Sequence, residues 1–170
     1  MASEGTKIYN NRVLVQAHAY NTVATGYVAG DLVGTKITFN DVIQADYGGG
    51  AVISALVINK VDQKSAVDLL LFQEDMASGT GAGTNWATGN NAALAVASSD
   101  IVNCIGHISI GTGDYSDGGA CAVANVSANL PFSIKSRKLY GLLVARGAIN
   151  QTGGSTDDII VGIGVERDAP

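Results

Sequence analysis

Apolar and polar positions alternate with a period of two along much of the chain, and the longest such stretch, AVISALVINKVDQKSAVDLLLFQED from Ala51 to Asp75, contains its own polar break. In its first half Ala51, Ile53, Ala55, Val57 and Val61 share one parity, broken only by Asn59, while Val52, Leu56 and Ile58 occupy the other. A strand apolar on both parities is one that can be covered on much of both faces. After Asp62-Gln63-Lys64-Ser65 the second half sets Val67, Leu69 and Leu71 on one side and Leu70 and Phe72 on the other, before ending at Glu74-Asp75. Two such runs around a short polar loop predict a hairpin of interior strands. A helix from Val52 to Leu71 competes with this reading, but β-branched residues crowd the first half and the polar break falls mid-segment, which favours strands.

The rest of the chain repeats the period in shorter pieces. RVLVQAHAY from Arg12 to Tyr20 alternates Val13, Val15, Ala17 and Ala19 with Arg12, Gln16, His18 and Tyr20. TVATGYVAGDLVG is punctuated by Gly26, Gly30 and Gly34, and KITFNDVIQA places Ile37 and Phe39 in phase before Gly48 to Gly50 close the segment. Met76 to Asn91 is a long glycine-rich loop carrying Trp86. AALAVASSDIVNCI alone has helical character, with Ser98-Ser99-Asp100 placed to cap a short turn that carries Ile101 and Val102. A strand follows through Ile105, Ile108 and Ile110. CAVANVSANLPFSI reads as one or two edge strands around Pro131, because proline cannot donate to a ladder. LYGLLVARGAI and the run through Ile159, Val161, Ile163 and Val165 supply the last strands.

The fold class predicted is all-β: an antiparallel β-sandwich, most simply of jelly-roll type, with about eight or nine strands and at most one short helix. Met1 to Asn11 is too polar to join the core and carries Ile8 and Tyr9 as isolated anchors, so residues 1–11 read as an extended N-terminal arm and 12–170 as a single sandwich domain.

Composition narrows the function. A chain of 170 residues buries a core without disulfides or a structural metal. Ten basic and fifteen acidic residues give a net charge of -5, which opposes direct binding to nucleic-acid phosphates. Only 15% of residues are charged, against roughly 25% in typical soluble domains. So light a surface charge predicts that part of the surface is covered by a partner, with self-association, most simply as a trimer, expected. The amino terminus lacks the basic start and apolar core of a secretory signal, and no window reaches the roughly 18 apolar residues of a membrane span. The expectation is a soluble protein made in a cytoplasm, with no membrane partner. Cys104 and Cys121 are then expected as small buried hydrophobes rather than a bridge.

Catalytic and cofactor chemistry finds no support. GTGAGTNW lacks the GK[ST] ending of a phosphate cradle, and His18 and His107 have no ligand partners at close spacing. Asp114 and Asp117, in GDYSDGG, are the best candidates for an ion, but two turn aspartates ordinarily bond to backbone amides and the remaining calcium-loop residues are missing. No serine or cysteine sits in a nucleophile elbow, so the expectation is a protein that is not an enzyme and holds neither metal nor cofactor. The one local cluster of positive charge, Lys135, Arg137 and Lys138, is either a solvated turn beside an apolar strand or a patch that meets an acidic partner.

The order of AYNTVATGYVAGDLVG, the stretch Ala51 to Asp75, SSDIVNCIGHISIGTGDYSDGG and LYGLLVARGAINQTGGSTDDIIVGIGV resembles a family of small head decoration, or cement, proteins encoded beside the capsid genes of tailed bacteriophages. The likeness runs from about Ala17 to Val165 and departs from the family in the Met76 to Asn91 loop and in the GGSTDD approach to the final strand. It implies a jelly-roll subunit, typically trimeric, on the outside of an icosahedral head at three-fold or quasi-three-fold positions, bridging subunits of the major capsid protein. An acidic balance fits that outer location, away from packaged DNA. Under this reading Ile8, Tyr9, Lys135, Arg137 and Lys138 are the candidate capsid contacts. The alternative is a carbohydrate- or receptor-binding sandwich of a phage tail or fibre, for which Trp86 and Tyr115 form the only candidate aromatic platform.

Overall fold

The period-two segments fold into nine strands among the residues that the computed structural model describes, which are 11–20, 26–60, 63–76, 91–117, 121–149 and 159–168, the side chains of 16–20 and Asp117 excepted. The strands are β1 (Arg12–Tyr20), β2 (Ile37–Phe39), β3 (Gly48–Asn59), β4 (Val67–Phe72), β5 (Cys104–Ile110), β6 (Tyr115–Asp117), β7 (Ala122–Ile134), β8 (Leu139–Ala145) and β9 (Ile159–Arg167), with one helical turn, α1 (Ser98–Ile101). One sheet has the order β1-β9-β3-β7-β6 and the other β2-β8-β4-β5. All ladders are antiparallel. The pairs β1–β9, β2–β8, β3–β7 and β4–β5 nest inside one another like a single long ribbon folded at its middle. The ladders β3–β9 and β4–β8 then roll that ribbon into two layers. This is the jelly-roll arrangement of a β-sandwich, with β6 added beside β7.

That topology overturns the expected hairpin. β3 pairs with β7 and β9, and β4 with β5 and β8, so the two halves of the Ala51–Asp75 stretch lie in opposite sheets. The reason is local and global at once. The Asp62–Ser65 break offers no glycine or asparagine for the φ > 0 positions of a tight hairpin turn, and each half is apolar enough to take a neighbour on both edges. The crossing is fastened instead by side chains: Asn59, fully buried, donates from Nδ2 to Ser65 Oγ at 3.4 Å, and the Tyr115 hydroxyl donates to the Ser65 carbonyl at 2.8 Å.

The parity within β3 also differs from the alternation in the sequence. A bulge between Val52 and Ser54 shifts the register against β9, so Val52 faces the core on one side of it and Ala55, Val57 and Asn59 on the other. One extra residue reverses every later side chain, which is why Asn59, apparently a flaw in the apolar row, belongs to the buried one. CAVANVSANLPFSI forms one continuous strand of 13 residues rather than two. Pro131 lies in the part of β7 beyond the reach of β6, where one side of the strand is an edge.

Between the sheets, Phe39, Val52, Val57, Leu69, Leu71, Ile110, Leu143, Val161 and Ile163 are fully buried in one cluster. A second cluster lies outside the four-stranded sheet, where Leu32, Phe72, Met76, Tyr140 and Leu142 pack together with Leu70, Leu94, Val96 and Cys104. One segment borders that face and another crosses it. Residues 30–33 continue the β2 edge along β8 through Val33 N–H to Leu143 O (2.8 Å) and Ala145 N–H to Asp31 O (2.9 Å). Residues 91–104 pair with them at one edge, through Leu94 N–H to Gly30 O at 2.8 Å, and reach β5 at the other. In consequence β8 is buried at every position. The helical turn sits on this crossing segment where expected, but Ala97 occupies its N-cap without a side-chain bond, because the serines lie inside the turn rather than ahead of it. Val102 is 74% exposed and Ile101 is exposed as well, so the turn carries both on the surface.

Candidate interaction surfaces

At one end of the sandwich the connections 40–47, 73–76 and 135–138 meet the ends of β3 and β9. The turn Lys135–Lys138 joins β7 to β8 across the two layers, which places all three basic residues on the surface. Lys135 Nζ pairs with Glu74 Oε1 at 3.2 Å, and the Arg137 guanidinium pairs with Asp41 Oδ1 at 2.6 Å while its Nε donates to Ile43 O at 3.3 Å. The Arg137 carbonyl accepts from Val42 N–H at 3.0 Å. Lys36 pairs with Asp75 and lies 5.5 Å from the centre of the Tyr140 ring. Exposed pairs of this kind contribute about 1 kcal/mol or less each. Most of the cluster's charge is thus answered by acids of the same chain, and Lys138 stands exposed directly before β8.

Ile8 and Tyr9 lie outside the described residues, whereas Asn11, the last residue of the expected arm, is described. The Asn11 carbonyl accepts from Arg167 N–H at 2.7 Å, fixing the start of β1 against the end of β9. Arg167 in turn donates to Val42 O (2.9 Å) and Asp41 O (2.6 Å), the same loop that holds Arg137. Asn11 and the basic turn, far apart in sequence, are therefore tied to one loop at one end of the molecule.

That end contains a cleft of about 300 Å³ lined by Asn11, Asp46, Tyr47, Gly49, Arg167 and Asp168, among others. Tyr47 stands 82% exposed with φ 59°, and a Cβ on Gly49 would come within 2.6 Å of Asp168 Oδ2 and 2.9 Å of Phe132 O, so only glycine keeps that wall in place. The sequence offered one faint signal for it, an aromatic residue followed directly by three glycines. Tyr115, by contrast, is buried against the crossing between the sheets and cannot serve as a sugar platform, and Trp86 lies outside the described residues. Burial, aided by Asp114, pushes the Tyr115 hydroxyl well above the ordinary tyrosine value, and burial with help from Asp75 raises Tyr140 in the same direction. Both hydroxyls are therefore protonated at physiological pH, and that of Tyr115 acts as a donor. Asp114 is engaged by its own turn, its Oδ2 accepting from Gly111 N–H at 2.7 Å. Cys104 and Cys121 are free thiols, both partly buried.

The remaining surface is the outer face of the five-stranded sheet. Leu14, Leu56, Ile58, Val123 and Ile160 all lie on it, and they belong to neither hydrophobic cluster. Leu14 is 53% exposed and the others are partly so. No described segment crosses this face.

No family model and no curated protein matches this sequence. Among solved structures the chain is similar to one from tomato aspermy virus, at 11% identity over 98% of this chain and 82% of that one, with a TM-score of 0.35. A likeness that low fixes neither assembly nor activity.

Proposed function

We propose that this chain is a structural virion protein that decorates the outside of a tailed-phage head and stabilises the lattice of the major capsid protein. The observation that carries the reading is the meeting of Asn11 and the basic turn at one end of the sandwich, through Arg167, Asp41 and Arg137. A subunit that sits on a shell needs such a foot. The arm brings Ile8 and Tyr9 to an adjacent capsid subunit, adding a strand to an exposed edge. Lys138, with Lys135 and Arg137 exchanging their own acids for those of the shell, supplies the polar rim. Ordering about ten arm residues costs on the order of 10 kcal/mol of backbone entropy, more than two anchors offset. Repetition across a trimer at a three-fold position makes up the difference, since linked feet bind with a high effective concentration.

The test is a binding assay on heads that lack the protein. Full-length chain saturates them, and a chain without residues 1–10 folds and melts normally yet binds at least about tenfold more weakly, a loss of only about 1.4 kcal/mol per site. Heads carrying the truncated chain release DNA at a lower temperature. Equal occupancy and equal heat resistance for the truncated chain contradict the foot. The receptor-binding alternative is favoured by one observation, the exposed Tyr47 beside Asp46 and Asp168 in the cleft. Saccharide binding that Tyr47→Ala abolishes, with no binding to heads, decides for it.

A further inference from the structure

We infer that the outer face of the five-stranded sheet pairs with the same face of a second copy of this chain about a two-fold axis that runs along the strands between β3 and β9. The inference does not rest on the decoration reading. It starts from what the register places on that face. Reading across the strands, one row is Leu14–Gly164–Ser54–Ser127, the next brings together Gly162, Leu56 and Asn125, and a third Ile160, Ile58 and Val123. None of these residues is charged. The charges stand at the rim, where Arg12 pairs with Glu166 at 2.8 Å beside Ala51 and Pro131. The centre is uncharged, apolar at Leu14, Leu56, Ile58, Val123 and Ile160 and polar at Ser54, Asn125 and Ser127, and depletion of charge at the centre of a face is a mark of an interface.

The relief of the face selects the occupant. β3 carries a ridge, Leu56 and Ile58, and beside it β9 carries a floor, Gly162 and Gly164. Both glycines are buried in the single chain, and at Gly164 an added Cβ would displace the Ser54 hydroxyl. Ridge and floor lie on adjacent strands, so a two-fold axis between them sets the ridge of each copy over the floor of the other. The register then puts Leu56 opposite Gly162 of the second copy, Ser54 opposite Gly164 and Ile58 opposite Ile160. Glu166 falls opposite Ala51 and Arg12 opposite Pro131, so no like charges meet. The surface is self-complementary, which is the requirement of an isologous contact. Two such sheets pack with their strands nearly aligned, within the roughly 30° that sheet twist imposes. Its area suffices for a contact: the four strands that overlap across this axis, β1, β9, β3 and β7, about 4.8 Å apart with a rise of about 3.3 Å per residue, give a face of roughly 570 Å², or roughly 1,100 Å² over both partners, just above the roughly 1,000 Å² that a biological interface needs. A two-fold contact is distinct from the head-to-tail contact of a trimer, and the two are compatible.

Sedimentation of the full chain at tens of micromolar tests the contact. The expected wild-type assembly holds an even number of 17.3 kDa chains, and Leu56→Lys halves its mass, weakening the pairing at least about 100-fold because two lysines are buried per pair. Mixing Leu56→Lys with Leu56→Glu restores the wild-type mass. Far-UV circular dichroism of each variant matches the wild type, and so does its melting at a concentration low enough to dissociate any pair, since Leu56 belongs to neither core cluster. Independently, a short bismaleimide couples two copies of Leu56→Cys and not two of Leu70→Cys, on the other sheet. A wild-type chain that is strictly monomeric, a mass unchanged by Leu56→Lys, or absence of the Leu56→Cys cross-link overturns the inference. Binding to heads is measured separately, so loss of pairing with head binding intact removes this contact without touching the proposed function.

Discussion

The two sheets of this sandwich meet the same problem on their outer faces and solve it differently. β4 and β8 are apolar on both parities, and their outward residues Phe72, Tyr140 and Leu142 are sealed by residues 30–33 and 91–104 of the same chain. β3 and β9 are apolar on both parities as well, yet no described segment crosses their outward residues Leu56, Ile58 and Ile160. A two-sided apolar strand announces that something covers it and is silent on what. On one sheet the cover is intramolecular. On the other it is, by our inference, a second molecule.

Substitutions can break this contrast, and the largest effects belong to the sealed sheet. Leu69→Ala, between the layers, and Leu142→Ala, beneath the crossing segment, should each cost about 2–5 kcal/mol, because both side chains are fully buried and leave a cavity. Leu56→Ala, measured in denaturant melts at a concentration low enough to dissociate any pair, should cost less than about 1 kcal/mol. Equal costs at Leu142 and Leu56 would mean that the two faces are equally covered within one chain.

Next in size is the glycine floor. Gly164→Ala forces a methyl group against Ser54 Oγ and should cost about 1–3 kcal/mol as an overpacked site. The pair Gly164→Ala with Ser54→Gly should recover most of it in the same melts.

Tyr115→Phe removes one hydrogen bond to the Ser65 carbonyl and should cost about 1 kcal/mol near neutral pH. Its pH signature is more specific. The folded state holds the Tyr115 proton more tightly than the unfolded chain does, so the contribution is complete below the ordinary tyrosine pKa of about 10 and is lost as pH rises above it. Stability of the wild type should therefore fall on the alkaline side more steeply than that of Tyr115→Phe. Parallel alkaline limbs would contradict the buried, neutral hydroxyl. The smallest effects belong to the foot: Lys135→Ala should change stability by about 1 kcal/mol or less, as an exposed pair does.

The sequence carried the strands better than their partners. Period-two alternation located β1, β2, β5, β8 and β9, and the sandwich followed from strand number and glycine-rich connections. What it could not display was pairing. Whether a polar break such as Asp62–Ser65 turns back in one sheet or crosses to the other depends on which strands are free to flank each half, a property of the whole chain. The bulge in β3 was hidden for a related reason: an extra residue leaves no mark beyond a row that looks flawed at Asn59. The covering segment 91–104 was legible only as a helical turn, because its apolar residues follow the surface they cross rather than any period. Among the candidate site residues, Lys135, Arg137 and Lys138 were visible as a charge cluster, but their acids, Glu74 and Asp41, come from distant loops. Tyr47 went unnoticed because exposure of a single aromatic residue is decided by its turn.

The most direct test of the account is a cryo-EM map of the intact particle that carries this protein. The account predicts copies of the nine-stranded sandwich over the outside of the head, with the end bearing Asn11, Asp41 and Lys138 against the major capsid protein and extra density for residues 1–10 along a capsid subunit. Absence of the chain from the head lattice, or its presence only at the tail, would contradict it.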